Sequence, residues 1–151
     1  MGSGEHADIS APDDRALQHR RIVVMQVRAD VSELPPLRLV AADLAARADF
    51  DLDTVEDLRL AVDEAASELI AVASADATLR CTFCLDAAQM EVTSSVPVKP
   101  GSELRRDSFG WRVLTTLVDE VRVISEPDFD PPLMDITLIK RRRAGTVAKR
   151  R

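Results

Sequence analysis

The most regular pattern in the sequence covers residues 57–73 and predicts a helix with one buried side. Its apolar residues recur every three or four positions, as on a helix that faces a core, at Leu58, Val62, Ala65, Leu69 and Val72. Beside this stripe are Glu64 and Glu68, which four-residue spacing makes neighbours on the helix surface. Like charges at that spacing repel each other, so the pair is either a solvated acidic face or a site that uses two carboxylates.

Composition predicts one soluble domain. The chain has 151 residues, of which 46% are hydrophobic but only 3% aromatic, so the core must consist of Val, Leu, Ala and Ile. No apolar run approaches the roughly 18 residues that a membrane span needs, and the start lacks the charged-then-apolar pattern of a signal peptide. We therefore expect a cytoplasmic protein without a membrane partner.

Charge divides the chain unevenly. All 26 acidic residues precede residue 140, together with 13 of the 20 basic residues, which gives that body a net charge of −13 and leaves the end with +7. An acidic body disfavours direct nucleic-acid binding and favours a partner with basic faces. We expect a flexible segment at residues 1–20, a globular domain at 21–140 and a basic, disordered tail at 141–151.

Two cysteines, Cys81 and Cys84, have a spacing that occurs in metal and redox sites. The residues around them alternate as in a strand, which would place the two thiols on opposite faces. Both histidines, His6 and His19, lie in the polar segment at the start of the chain. The sequence therefore predicts core or edge cysteines, without a zinc site.

Strand patterns alternate with helix patterns in the order β-α-α-β-β-α-β-β. The predicted strands cover residues 22–28, 78–85, 89–96, 121–124 and 133–139. Such an order favours the α+β class, a two-layer sandwich of a mixed β-sheet with helices on one face.

The three predicted helices have recognisable starts. Ser32 would cap the first, near Leu34; Asp53 or Thr54 would cap the second; and the third would start at Asp107 or Ser108. The first would leave Arg38 on its outer side and bury Leu37, Val40, Ala41, Leu44 and Ala48. The third would bury Phe109, Val113, Leu114, Leu117 and Val118.

In this layout the chain resembles the GHKL ATPase superfamily, specifically the anti-sigma-factor serine kinases of the RsbW and SpoIIAB type. The similarity covers roughly residues 22–139 and rests on the stretches 58–65 and 113–121 and on the spacing between them. It implies the Bergerat-type ATPase fold. The family's organising helix carries a Glu-Ala-x-x-Asn pattern, whose Glu is the general base on a serine of an antagonist protein and whose Asn holds magnesium. Glu64 keeps the base position, and Glu68 replaces the Asn.

A carboxylate can hold magnesium, but Glu68 also adds negative charge beside a triphosphate, so we expect ATP binding to be weak or vestigial. The family's second motif has an Asp that accepts a hydrogen bond from adenine, and Ser94 takes its place, followed by Val96 and Val98 in place of two glycines. The third motif, in which backbone amides meet phosphate, keeps one glycine, Gly110.

The lid that closes over nucleotide in the family is also short here, about a dozen residues with Lys99, Arg105 and Arg106 as its cations. Two functions follow from the resemblance. The first is an anti-sigma factor in a stress-response partner switch, which sequesters an alternative sigma factor and is released by a STAS-type antagonist, with Arg38 as the partner-contacting residue. The second is an active ATP-dependent serine kinase that phosphorylates the antagonist.

A third alternative keeps the fold but replaces the sigma factor by another client. The resemblance further implies a homodimer through the sheet face.

Overall fold

A computed structural model describes residues 20–143 of the chain, so the predictions for residues 1–19 and 144–151 lie outside the described part. Within that part, three helices and five strands follow one another, with a short 3-10 turn at Val31–Glu33. In chain order they are β1 (Arg21–Arg28), α1 (Leu34–Arg47), α2 (Leu52–Val72), β2 (Thr78–Leu85), β3 (Gln89–Pro97), α3 (Phe109–Leu117), β4 (Glu120–Glu126) and β5 (Leu133–Arg141).

The five strands form a single sheet in the order β1-β2-β3-β5-β4. Every neighbouring pair is antiparallel. The α+β two-layer class is confirmed, but the predicted mixed sheet is wrong. β3 and β4 do run in the same direction, yet β5 lies between them and pairs with both. The two strands that would make a parallel pair are therefore never adjacent.

Helix α2 is the centre of the molecule, as its apolar stripe predicts. Leu58, Val62, Ala65 and Leu69 are completely buried, whereas Val72 is half-buried. The cap differs from the prediction of Asp53 or Thr54: Asp51 is the N-cap, and its carboxylate accepts a hydrogen bond of 2.7 Å from the Thr54 amide. The connector before α2 therefore supplies the cap two or three residues earlier than the sequence pattern suggests.

Helix α1 begins at Leu34 as predicted but is preceded by a separate turn. Asp30 caps that turn by accepting a hydrogen bond from the Ser32 amide, so Ser32 lies inside the turn and the predicted Ser32 cap is wrong. The buried side of α1 consists of Leu37, Ala41, Leu44 and Ala45. The predicted Val40 and Ala48 are only half-buried.

Helix α3 is short, and its first turn faces α2. Ser108 is its N-cap, with the hydroxyl accepting a hydrogen bond of 3.1 Å from the Trp111 amide. Leu114 and Val118 are buried as predicted. Phe109, which was predicted to be buried, is 82% exposed. Its neighbour Gly110 occupies the side that meets α2, and successive helical residues point about 100° apart.

The cysteines lie on opposite sides of β2, as predicted. Cys81 is buried on the helix side, and Cys84 is half-buried on the other. Arg20 donates a hydrogen bond of 2.7 Å to the Cys84 sulfur. Residues 20–143 contain no group of three or more His, Cys, Asp or Glu side chains placed to hold a metal ion. None of the helices in this range is long and apolar enough to cross a membrane.

The end of β5 is tied to two loops by Arg142. Its guanidinium lies 4.6 Å from the centre of the Phe50 ring and donates a hydrogen bond to the Ala48 carbonyl. Its backbone amide donates a hydrogen bond of 2.8 Å to the Ala88 carbonyl in the β2–β3 turn. Arg142 therefore joins the α1–α2 connector to the β2–β3 turn.

Candidate functional site along helix α2

Two adjacent acidic residues of α2 face different helices. Asp63 forms an ion pair with Arg38 of α1, and Glu64 lies against Gly110 of α3. The separation follows from the helical rotation of about 100° per residue, since α1 and α3 pack on different sides of α2.

On the α3 side, Glu64 and Glu68 lie directly against the backbone of Gly110. A Cβ atom added to Gly110 would be 1.9 Å from Oε1 of Glu64 and 3.0 Å from Oε1 of Glu68. The Ser108 hydroxyl donates a hydrogen bond of 3.4 Å to the same Glu68 oxygen. The structure thus brings Glu64, Glu68 and Gly110 together, and a side chain at residue 110 would fit only if the Glu64 and Glu68 carboxyl groups shifted.

The carboxyl pair is electrostatically strained. Burial raises the pKa of Glu64 above its ordinary value; the charge of Glu68, a hydrogen bond between the two carboxyl groups and the charge of Asp63 raise it further. Each of these causes disfavours the ionised form. The arrangement therefore favours the protonated form of Glu64.

The hydrogen bond of Ser94 is with a residue of the core and not with the carboxyl groups of Glu64 and Glu68. Ser94 lies on β3 facing the core, is only 1% exposed, and forms a hydrogen bond of 3.2 Å with the Cys81 sulfur. The same contact partly offsets the effect of burial, which raises the pKa of the Cys81 thiol. The Ser94 hydroxyl is thus already engaged with a side chain of the core.

These residues do not fit magnesium and ATP in the way that the resemblance implies. The predicted ligand Glu68 is in contact with Gly110 and Ser108, so the helix start that would meet phosphate meets two carboxyl groups. The predicted adenine contact, Ser94, is bonded to Cys81. Only residues 98–108 connect β3 to α3, which matches the short lid that the sequence predicts.

On the α1 side, Nη1 of Arg38 lies 3.5 Å from Oδ1 of Asp63. The Arg38 side chain is 36% exposed and that of Asp63 is 26% exposed. Arg38 was predicted on the outer side of α1; it is partly exposed there but reaches across to α2. Sequence reasoning assigned no role to Asp63, because only the packing of α1 on α2 shows which cation it faces.

A cleft at the start of α2 has a volume of about 580 Å³. Cations from the end of β5, among them Lys140 and Arg143, line it together with Asp49, Asp51 and Asp119. Lys140 is nearly buried, donates a hydrogen bond of 3.1 Å to the Leu117 carbonyl, and lies 3.9 Å from Asp57. The mixture of both charges leaves this cleft without a preference for an anionic ligand.

The fold and sequence together define the class of protein. Residues 27–140 match the family described as histidine kinase-like ATPase domain, and the chain belongs to that family. A crystal structure of the RsbU and RsbW domains of a Mycobacterium tuberculosis protein superposes with a TM-score of 0.62 at 13% identity. That alignment covers 80% of this chain and 32% of the longer one, and it shows the fold alone.

Within this class, the chain is an RsbW relative. It is 34% identical over 149 residues to anti-sigma-F factor RsbW from two Mycobacterium tuberculosis strains, CDC 1551 / Oshkosh and ATCC 25618 / H37Rv. The alignment covers 97% of this chain and 89% of each relative. The predicted membership in the RsbW branch of the GHKL ATPases is confirmed.

Proposed function

We propose that this protein is an anti-sigma factor that binds an alternative sigma factor and keeps it from RNA polymerase. The observation that carries the proposal is the 34% identity, across 97% of the chain, to a protein named anti-sigma-F factor RsbW. Release occurs when a STAS-type antagonist competes for the anti-sigma factor, so that the two partners exchange. The protein acts in the cytoplasm as a homodimer and makes no direct contact with nucleic acid.

The partner surface lies on α1 and the turn before it. Apolar side chains are prominent there, with Val31 65% exposed and Leu39 72% exposed. Arg38 is next to Leu39 and keeps about a third of its side chain accessible. Arginine beside exposed apolar residues is a common composition for the energetically important part of a protein interface. The net charge of −13 before residue 140 complements basic faces of a partner.

ATP use is weak or vestigial in this proposal. The contact of Gly110 with Glu64 and Glu68 occupies the helix start where phosphate would bind. Without a nucleotide-dependent step, the affinity for the sigma factor does not depend on magnesium and ATP. The protein then acts by binding alone, and its antagonist releases the sigma factor by competition.

An active serine kinase is the second candidate, and one observation favours it. The pKa of Glu64 is raised, which brings it closer to neutral pH. A general base is most effective when its pKa is near the pH at which the enzyme works. If the kinase were active, Glu64 would take the proton of the serine hydroxyl on the antagonist. Replacement by alanine would then abolish phosphate transfer while leaving sigma-factor binding intact.

Calorimetric titration of the protein with an F-type sigma factor, with and without magnesium and ATP, tests the proposal. We expect the same tight binding in both conditions. Binding that requires ATP would show that the nucleotide site works, and phosphate transfer to an antagonist would then be measured in the wild type and in Glu64→Ala. No binding in either condition would overturn the sigma-factor assignment. Sedimentation of the free protein tests the homodimer.

A further inference from the structure

The guanidinium of Arg38 lies at the seam between α1 and α2. Its preceding residue, Leu37, is fully buried, so Arg38 emerges at the edge of the buried side of α1, next to α2. Within residues 20–143, its side chain donates no hydrogen bond within ordinary geometry, and its one ion pair is with Asp63. Most of the five N–H donors of a guanidinium therefore remain available to a second molecule.

Asp63 is an unusual residue for such a seam. Its Oδ1 atom is completely buried and accepts no hydrogen bond from any described residue, although the same atom lies 3.5 Å from Arg38. A buried carboxylate oxygen with one loose ion pair is destabilising compared with a smaller or neutral residue. Packing of α1 on α2 alone gives no reason for a carboxylate at this position.

The other nearby cation does not explain Asp63. Arg59 is one turn earlier on α2, but its guanidinium is held by Glu56 through hydrogen bonds of 3.2 and 2.8 Å. Of the groups that raise the pKa of Arg59, Asp63 has the smallest effect. The side chain that Asp63 directly faces is therefore Arg38.

We propose that Asp63 is a positioning residue for Arg38. Asp63 holds the Arg38 guanidinium at the α1–α2 seam, so that the outer N–H groups of Arg38 are directed at hydrogen-bond acceptors of the bound partner. This inference rests on the proposed function, because it concerns the same partner surface. Asp63 does not itself contact the partner. It restricts the long Arg38 side chain before binding, so less conformational freedom is lost when the complex forms.

A double-mutant cycle measured as affinity for an F-type sigma factor tests this role. We expect Arg38→Ala to weaken binding about 30-fold and Asp63→Asn to weaken it about 5-fold, within the usual range for interface arginines and their supports. The double variant should bind no more weakly than Arg38→Ala alone. A merely structural role would give an Asp63→Asn effect of the same size in both backgrounds.

A matched control comes from the same helix. Arg47 and Asp43 form an ion pair of 2.8 Å on α1, and the variants Arg47→Ala and Asp43→Asn should leave affinity unchanged. Arg38→Lys tests whether the planar guanidinium is needed. Lysine keeps the charge but lacks the several N–H donors in one plane that can contact Asp63 and the partner together. We therefore expect Arg38→Lys to lose most of the affinity that Arg38→Ala loses.

The outcomes separate this inference from the proposed function. If the wild type does not bind the sigma factor, the proposed function is overturned, and the positioning is then decided by NMR relaxation of the Arg38 guanidinium in the free protein. A more restricted guanidinium in the wild type than in Asp63→Asn supports positioning, and equal mobility overturns it. If the wild type binds but Asp63→Asn has no effect, or an undiminished effect beside Arg38→Ala, the positioning role is wrong.

Discussion

Asp63 and Glu64 are consecutive carboxylic acids on one helix, and they meet opposite surroundings. Asp63 faces the guanidinium of Arg38 at a seam that remains partly open to solvent. Glu64 faces a second carboxyl group and the backbone of Gly110. The difference comes from the neighbours that the fold supplies, because α1 brings a cation to one side of α2 and α3 brings a glycine to the other.

The two sides therefore differ in accessibility. The α1 side keeps a charged group partly exposed, which suits the proposed binding surface. The α3 side is closed by direct contact between a helix start and two acidic groups. Helix α2 thus lies between the proposed partner surface, which α1 carries, and the proposed remnant of a nucleotide site, and variants on either side can be compared.

The largest effect is expected on the closed side, from Gly110→Val. Valine has the higher helix propensity, so a loss of stability must come from packing against Glu64 and Glu68. Displacing both carboxyl groups and the start of α3 should lower the free energy of unfolding by about 2–3 kcal/mol, measured by chemical denaturation. Thr116→Val, on the exposed side of α3, is the control. Equal stability of the two variants would show that the Glu64 and Glu68 side chains move aside without cost, so that their contact with Gly110 does not hold α3 against α2.

The next largest effect is expected on the open side of α2, which faces α1, from Arg38→Ala. We expect the sigma-factor affinity to fall by about 2 kcal/mol, while the free energy of unfolding changes by less than about 1 kcal/mol because the ion pair is long and both side chains are partly exposed. Calorimetry and denaturation of the same preparation measure both quantities. A loss of stability as large as that of Gly110→Val would remove the contrast between the two sides.

A smaller effect with a defined pH dependence is expected from Glu64→Gln. Folding raises the pKa of Glu64 above 4.5, so the folded state holds this proton more tightly. The resulting stabilisation is complete below pH 4.5 and is lost as the pH rises through the folded pKa. Glutamine removes the repulsion and should stabilise the protein by about 0.5 kcal/mol at pH 8.

The pH dependence is tested by denaturation midpoints measured between about pH 4.5 and pH 8. The proteins compared are the wild type, Glu64→Gln and the exposed Glu103→Gln. Only Glu64→Gln should flatten the profile. If the stability difference between the wild type and Glu64→Gln were the same at both ends of the pH range, the pKa of Glu64 would not be raised by folding, and the closed side would be no more strained than the open one.

The smallest effect is expected for Arg47→Ala. Its ion pair with Asp43 joins side chains that are 65% and 58% exposed, and such pairs contribute less than about 0.5 kcal/mol. Neither stability nor sigma-factor affinity should change beyond that amount. A clear loss of affinity would extend the partner surface to the end of α1 and weaken the assignment to Arg38.

The sequence predicted the parts of the fold that depend on local periodicity. The stripe of α2 was correct because a helix that packs on a sheet repeats its apolar residues, and the alternation around Cys81 placed the two cysteines on opposite faces. The family relationship was also visible, since residues 58–65, on which the resemblance partly rests, belong to the same helical stripe. These features need only neighbouring residues in the chain.

Features that depend on distant residues were not visible. Phe109 was predicted to be buried because its position continued the apolar pattern of α3, but contact with α2 belongs to Gly110. The sheet was predicted to be mixed because the sequence does not show that β5 separates β3 from β4. The role of Asp63 required knowing that Arg38, 25 positions earlier in the chain, lies across the seam.

Arg142 has a practical consequence for anyone who shortens this chain. The family match ends at residue 140, and a protein cut there would lack the arginine that packs on Phe50 and bonds to Ala48 and Ala88. The α1–α2 connector, and with it the Asp51 cap of α2, would lose its link to the sheet. A domain trimmed to its family boundary should therefore melt earlier than one that retains two further residues.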